Sequence, residues 1–144
     1  MDSIIQFSVG ANSIYFEVNH QQIVIPQGLT WIATHSINAM VLNSLTIETM
    51  IYIIEELLEK LPISYADPKI AMTDDAWMKQ LSGLFFQSEQ RIDRIWLERA
   101  FNDFIQHIEY YVKQVQPDNI ALLIYFVFIR EMMHHLNVEV VQIV

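Results

Sequence analysis

Hydrophobic and polar residues alternate over the first part of the chain, which is the pattern of half-buried β-strands. Every second residue of 14–18 is a large apolar one, and a similar apolar pattern covers 4–9. A third and shorter apolar run covers 23–25. Turn-forming residues at Gly10–Ser13 and polar residues at His20–Gln22 separate these runs. The pattern therefore predicts an antiparallel meander of three strands with short connections.

The following stretch changes to the three- and four-residue spacing of amphipathic helices. Apolar residues from Leu29 to Val41 have this spacing, although the β-branched and aromatic residues among them also suit a strand. We favour a helix from about Thr30. A clearer apolar stripe runs from Ile47 to Leu61, and Pro62 is expected to end that helix.

Pro62 and the turn signal Asp67-Pro68 predict that 62–74 is a loop between this helix and the next one. Apolar residues then recur at helical spacing over 77–85, with Thr73 or Asp74 as the cap of a short helix. We interpret Asp74 and Asp75 as acidic residues of its first turn, where a carboxylate suits the positive end of the helix.

The stretch from Ser88 to Asn137 predicts two long helices that one proline separates. Ser88 is a plausible N-cap, and apolar residues four and three apart make a continuous stripe up to Val115. Pro117 should end this first helix, because proline lacks an N–H and restricts the residue before it. Asp118 can then cap the second helix.

The second of these helices begins with ten consecutive apolar residues, Ile120–Ile129. A run that is apolar on every side is buried on every side or lies in a membrane, and about 20 residues are needed to span a bilayer. A buried strand is the alternative, but the pattern continues through Leu136 and its length favours a helix. We therefore predict a central core helix with Phe126 inside the core.

Val138, Val140 and Ile143 predict a last strand, which we expect to join the edge of the N-terminal meander. The predicted fold is α+β, with a small antiparallel meander and a C-terminal strand packed against a layer of four to five helices. No repeat, linker or change in composition divides the chain. Residues 1–144 are therefore predicted to form a single domain.

Charge and composition exclude several classes of function. The net charge of −9 argues against binding to nucleic acid or to an anionic membrane. There is no cysteine, and the three glycines cannot form a glycine-rich phosphate loop. Met1–Ser3 lacks the basic region of a signal peptide. Together these features predict a cytoplasmic protein.

Glu131 and His134 are three residues apart on the last predicted helix, which is the ligand spacing of ferritin-like di-iron sites. Such sites need a second Glu-x-x-His pair, and the sequence contains none. Asp103 and His107 could face this pair from the preceding helix, but they flank its apolar stripe. We therefore expect no metal and no other cofactor, and we interpret the histidines as favourable charges at a helix C-terminus.

A second candidate site lies in the stretch whose structure is ambiguous. If this stretch is helical, Trp31, His35 and Asn38 share one face and could line a ligand-binding pocket. The alternative is a half-buried polar face without a ligand.

The helix predicted over 46–61 carries a candidate interaction surface. Tyr52 and Ile53 point away from its core stripe, and an acidic cluster is formed by Glu55, Glu56 and Glu59. A solvated helix face is the alternative to a docking surface for a basic partner.

These features predict a non-enzymatic, acidic protein that works by binding another protein with a basic surface. In size and acidity the chain resembles secretion chaperones and toxin-immunity proteins, a resemblance of composition that no motif supports. The alternative is a small-molecule-binding or enzymatic α+β domain. Its pocket would lie near Trp31 and His35 or near Glu131 and His134.

The balance of charged and apolar residues predicts a homodimer. Only 17% of the residues are charged and 53% are hydrophobic, whereas about 25% are charged in an ordinary soluble domain. A subunit interface would cover the apolar excess. We expect it on the 46–61 helix or on the 88–116 helix, where Ile95 and Trp96 widen the apolar face.

Overall fold

The computed structural model of the protein describes residues 3–37, 41–115 and 119–144. These residues form six strands and six helices. The strands are β1 (Ser3–Val9), β2 (Ile14–Val18), β3 (Gln21–Ile25), β4 (Lys69–Thr73), β5 (Arg91–Asp93) and β6 (Val138–Ile143). The helices are α1 (Leu29–Ser36), α2 (Ser44–Glu59), α3 (Ala76–Phe85), α4 (Arg94–Gln106), α5 (Ile108–Val115) and α6 (Ile120–His135).

The predicted N-terminal meander is present, and its second turn has a clear local cause. Asn19 and His20 have φ angles of 51° and 62°, which are the left-handed conformations of a type I′ hairpin turn. Asparagine tolerates this conformation better than most residues. β2 consequently pairs with β3 in antiparallel register, with Phe16 opposite Ile23.

The sheet is mixed and larger than the predicted one. Its strand order is β3-β2-β1-β4-β6-β5. β4 lies parallel to β1 and β6 lies parallel to β4, whereas β5 pairs antiparallel with β6 at the edge. The C-terminal strand therefore joins the meander only through β4, which corrects the expectation that it pairs with the meander directly.

One face of the sheet is covered and the other is open over the described residues. Ile5, Phe7 and Phe16 are buried, because the strand alternation sends them to the face where the helices pack. On the opposite face Ile4 is 52% exposed and Val24 is 62% exposed. The helices therefore lie on one side of the sheet, as the α+β prediction required.

α6 is the centre of the helical layer, as its apolar run predicted. Residues 122–129 are all buried, and Phe126 is fully inaccessible to solvent. The Phe126 ring lies 4.5 Å from that of Phe85 and 5.3 Å from that of Phe101. These contacts join α3, α4 and α6 in one core and confirm the prediction for Phe126.

The helix predicted from Ser88 is a short strand followed by two helices. Ser88 has a φ of 61° and lies in the turn after α3, so it does not cap a helix. Asp93 is the N-cap of α4, and its carboxylate accepts from the Trp96 N–H at 2.8 Å. The helix is interrupted at His107, between α4 and α5. The predictions for Pro117 and Asp118 lie outside the described residues.

β4 occupies the second half of the stretch predicted as a loop. Lys69 is 3% exposed, and its ammonium donates to the backbone carbonyls of Ser64, Asp67 and Leu136. These three bonds satisfy a buried charge and tie the 64–67 loop and the end of α6 to the start of β4. Burial lowers the pKa of the Lys69 side chain.

The fold class is α+β, as predicted, but the described residues contain six strands and six helices instead of a small meander with four to five helices. None of the helices among them is long and apolar enough to cross a membrane.

Candidate functional site at the carboxyl edge of the sheet

The parallel strands bring several polar residues to one edge of the sheet. β1, β4 and β6 run in the same direction, so their carboxyl ends meet. Ser8 lies at the end of β1, and Asp74 and Asp75 follow β4 directly. In open sheets with parallel strands, ligands bind outside the carboxyl ends of the strands. This edge is therefore the first place to look for a functional site.

Asp75 is held by three donors, two from β1 and one from α6. Its carboxylate accepts from the Ser8 hydroxyl at 2.7 Å, the Val9 N–H at 3.0 Å and the Tyr125 hydroxyl at 2.9 Å. Asp75 is also the N-cap residue of α3, but its side chain makes no capping bond with that helix. Its carboxylate instead joins the end of β1 to α6 and is fixed in place.

Tyr125 keeps its proton under all ordinary conditions. Burial raises the pKa of the Tyr125 hydroxyl well above its usual value, and the neighbouring Asp75 carboxylate adds to this effect. The hydroxyl therefore remains a donor to Asp75.

The β1–β2 turn is fixed by the start of α1. The N–H groups of Leu29 and Thr30 donate to the carbonyls of Gly10 and Ala11 at 2.9 and 3.0 Å. Gly28 makes this approach possible, because a Cβ atom there would lie 2.4 Å from the Gly10 carbonyl oxygen. The turn consequently has a defined position beside the end of β4.

A cleft of about 280 Å³ opens at this edge on the uncovered face of the sheet. Its lining includes Gln6, Ser8, Tyr15, Thr73 and Asp74. Asp74 is exposed, and its carboxylate makes no hydrogen bond or ion pair with another described residue. The first turn of α3 begins at the same edge, where the helix dipole favours a negative ligand group. The cleft therefore places a free carboxylate close to the start of a helix.

The structure places the other predicted site residues elsewhere. The rings of Trp31 and His35 stack with their centroids 4.1 Å apart, and His35 Nδ1 is 2.8 Å from the Trp31 carbonyl oxygen. Neither residue lines the cleft at the carboxyl edge. Asn38 lies outside the described residues, and the ligand pocket proposed for this stretch stays a prediction.

The predicted interaction residues lie on α2, away from this edge. Tyr52 is 64% exposed, Glu56 and Glu59 are exposed, and Ile53 is half-buried. Glu55 differs from the other two acids, because its carboxylate lies 3.8 Å from Nε2 of His135.

Glu131 and His134 belong to an ion-pair network instead of a di-iron arrangement. His134 Nε2 lies 3.0 Å from Glu98 Oε2, and Glu131 pairs with Arg130 at 2.7 Å. Asp103 does not face them, since it pairs with His107 at 3.3 Å and accepts from the Tyr111 hydroxyl. Burial and Asp103 together raise the pKa of Tyr111 to about 12.

The sequence did not reveal the residues at the carboxyl edge. Asp74 and Asp75 were interpreted as charges in a first helical turn, which is a surface role. The signal that could have found them is the rule for parallel strands, but it applies only once β4 is recognised between β1 and β6.

Comparison with solved structures shows where this fold occurs. No protein-family model matches the chain, and no curated protein matches it in sequence. The fold is that of a structure described as the PPX-GPPA enzyme of Aquifex aeolicus, with a TM-score of 0.70 and 12% sequence identity over 98% of this chain and 52% of the other.

Two further structures from Aquifex aeolicus have the same similarity. One is the type II variant of a Ppx/GppA phosphatase, with a TM-score of 0.69 and 11% identity over 99% of this chain and 53% of the other. The second is a Ppx/GppA family member, with a TM-score of 0.70 and 11% identity over 98% of this chain and 51% of the other. The chain thus spans about half the length of the structures it matches, and the likeness is one of fold.

This comparison corrects the prediction of a non-enzymatic protein that works by binding another protein. Two of the structures that share the fold are described as an enzyme and as a phosphatase. The finding favours the alternative prediction of an enzymatic or small-molecule-binding α+β domain. The location of the polar cleft differs from both pockets named in that alternative.

Proposed function

We propose that this chain is an enzymatic domain that binds a phosphorylated ligand at the carboxyl edge of its sheet. The observation that carries the proposal is the convergence of the ends of β1 and β4, with the exposed Asp74 carboxylate, at a single cleft. The same fold in a phosphatase from Aquifex aeolicus supports phosphate as the ligand group. Fold alone does not assign chemistry, so the cleft residues carry the specific argument.

The charges of the cleft favour a phosphate that arrives with a divalent cation. Asp74 would repel a bare phosphate, but Mg²⁺ is commonly bound by one or two carboxylates together with the phosphate oxygens of a substrate. The exposed Asp74 supplies such a carboxylate at the opening of the cleft. The backbone N–H groups of the first α3 turn, which begins two residues after Asp74, would then approach the phosphate oxygens.

Asp75 has a positioning role in this proposal. Its carboxylate is already engaged by Ser8, Val9 and Tyr125, so it is unsuited to contact the ligand directly. It keeps the end of β1 and the start of α3 at a fixed separation. A preorganised site of this kind loses little free energy to rearrangement when the ligand binds.

Calorimetric titration with tripolyphosphate and Mg²⁺ tests the proposal. Asp74→Asn keeps the shape of the side chain but removes its charge, and we expect it to weaken binding by about tenfold or more, which is about 1.4 kcal/mol. Asp67→Asn is the matched control, because Asp67 is also exposed and precedes the opposite end of β4. The control should bind as the unaltered chain does.

Equal weakening in both variants would contradict the proposal, because it would show a general effect of charge. Absence of binding by the unaltered chain with Mg²⁺ present would contradict it as well. Binding is a better measure than phosphate release, since the chain spans only about half of the structures that it matches.

We also propose that the protein acts in the cytoplasm, as the sequence predicted. The absence of cysteine supports a reducing compartment. Fractionation of the host cells checks this, and recovery of the protein outside the cytoplasmic fraction would contradict it.

A further inference from the structure

A second polar cluster lies at the far end of α6 and combines two carboxylates with an imidazole. Glu131 and His135 are one turn apart on α6, and Glu55 faces them from α2. His135 Nε2 is 3.8 Å from Glu55 Oε1 and 3.7 Å from Glu131 Oε1. One donor atom from each of the three residues lies within 4.8 Å of the others.

The cluster is separate from the cleft at the carboxyl edge. Tyr125, which contacts that edge, and His135 are ten residues apart on one helix, which corresponds to about 15 Å. α6 leads directly into β6, so His135 lies near the amino end of that strand. The cluster therefore lies towards the opposite edge of the sheet.

Glu131 is buried and has one oxygen left for a further ligand. Its side chain is 3% exposed, and Oε2 accepts from Arg130 Nη1 at 2.7 Å. Oε1 makes no hydrogen bond with the residues that the structure describes, and it points towards His135 at 3.7 Å. Burial raises the pKa of the Glu131 carboxyl, and Arg130 opposes this effect. A cation beside Oε1 would stabilise the ionised form further.

A supporting layer of contacts already orients these residues. Arg130 also donates to Glu98 at 2.9 Å, and its guanidinium lies 5.0 Å from the centre of the Phe101 ring. His134 belongs to the same network, because its Nε2 lies 3.0 Å from Glu98 Oε2. Carboxylates that bind metals are usually held by such outer hydrogen bonds.

The charge balance of the cluster leaves room for a divalent cation. Glu55, Glu98 and Glu131 contribute three negative charges and Arg130 one positive charge, so the sum is −2 when both histidines are neutral. An excess of negative charge around a buried carboxylate is costly. A divalent ion bound at the cluster would offset all of that excess.

We propose that Glu55, Glu131 and His135 bind a divalent transition-metal ion, with Zn²⁺ as the first candidate. Imidazole nitrogen and carboxylate oxygen are ligands that zinc accepts, and three protein ligands leave a coordination position for water or another group. Donor atoms around tetrahedral zinc are about 3.4 Å apart. The 3.7 and 3.8 Å distances from His135 therefore need only small side-chain movements.

Titration of the chelator-treated full chain with Zn²⁺ tests this site, with calorimetry as the readout and the visible spectrum of Co²⁺ as a second one. We expect one equivalent to bind and to raise the thermal midpoint of unfolding. Glu55→Gln and His135→Ala should each weaken binding at least tenfold. Both residues are partly exposed, so these variants should fold.

Two residues outside the cluster provide matched controls. Glu56→Gln and His107→Ala make the same chemical changes outside both the proposed ligand set and its supporting contacts, and should bind Zn²⁺ within about threefold of the unaltered chain. Binding that is lost in His134→Ala but kept in His135→Ala would overturn the proposal. Absence of stoichiometric binding would also overturn it. Tripolyphosphate binding tests the other site independently.

Discussion

Tyr125 shows how one side chain links the core to the candidate site. It is fully buried in α6, and its hydroxyl donates to Asp75 at the carboxyl edge. Tyr125→Phe removes that donor and leaves Asp75 with Ser8 and Val9. Since hydrogen bonds to charged groups contribute about 1.5–3 kcal/mol, we expect the free energy of unfolding to fall by that amount. Urea denaturation measures this change, and a loss below about 0.5 kcal/mol would contradict the role of the bond.

The same residue should make stability depend on alkaline pH. Its pKa is raised in the folded protein, so the folded state keeps a proton that the unfolded state releases above about pH 10. The stabilisation is therefore complete below about pH 10 and is lost as the pH rises towards the folded pKa. The unfolding free energy should fall less steeply above about pH 10 in Tyr125→Phe than in the unaltered chain. Equal slopes would show that Tyr125 titrates normally.

Residue types alone predicted little of the site. Asp74 and Asp75 are adjacent acids before a helix, and their pattern is that of first-turn charges. Their different roles depend on β1, which contributes Ser8 and Val9 from 67 and 66 positions away from Asp75. No local pattern carries that information.

At the scale of elements, α6 was the most predictable part of the fold because its apolar run is long and continuous. Phe126→Ala should cost about 3–5 kcal/mol, as for other buried phenylalanines. Tyr110→Ala is the control, since Tyr110 is 57% exposed and should cost less than about 1 kcal/mol. Chemical denaturation of both variants measures the difference, and similar losses would contradict the central position of α6.

Two other elements were hidden from sequence reasoning for physical reasons. β4 begins with Lys69, a residue typical of surfaces, and only the backbone carbonyls around its ammonium permit burial. The apolar stripe of 88–116 continues across His107, although the helix is interrupted there. The spacing of apolar residues shows which side of a helix is buried. It does not show where the helix is interrupted if the same side stays buried beyond the interruption.

At the scale of the whole molecule, the fold class followed from strands at both ends with helices between them. The order of the strands in the sheet did not follow from the sequence, because it depends on placing β4 between β1 and β6.

The predicted homodimer also belongs to this scale. Ile95 is 66% exposed and Tyr52 is 64% exposed. Trp96 instead packs inward, with its ring centre 5.2 Å from that of Phe86. A stable dimer should bury about 1,200–2,000 Å² in total. Sedimentation equilibrium should show twice the monomer mass of 16.9 kDa. A single monomeric species that is unchanged on concentration would contradict the prediction.

The location of ligand binding is the central claim, and amide NMR spectra of the isotope-labelled chain test it most directly. Addition of tripolyphosphate and Mg²⁺ should shift the amide signals of Gln6–Ser8, Tyr15 and Met72–Asp74, which line the cleft at the carboxyl edge. Signals near His135, towards the opposite edge, should stay in place. Shifts confined to the region of His135, or spread evenly over the surface, would contradict a phosphate site at the carboxyl edge.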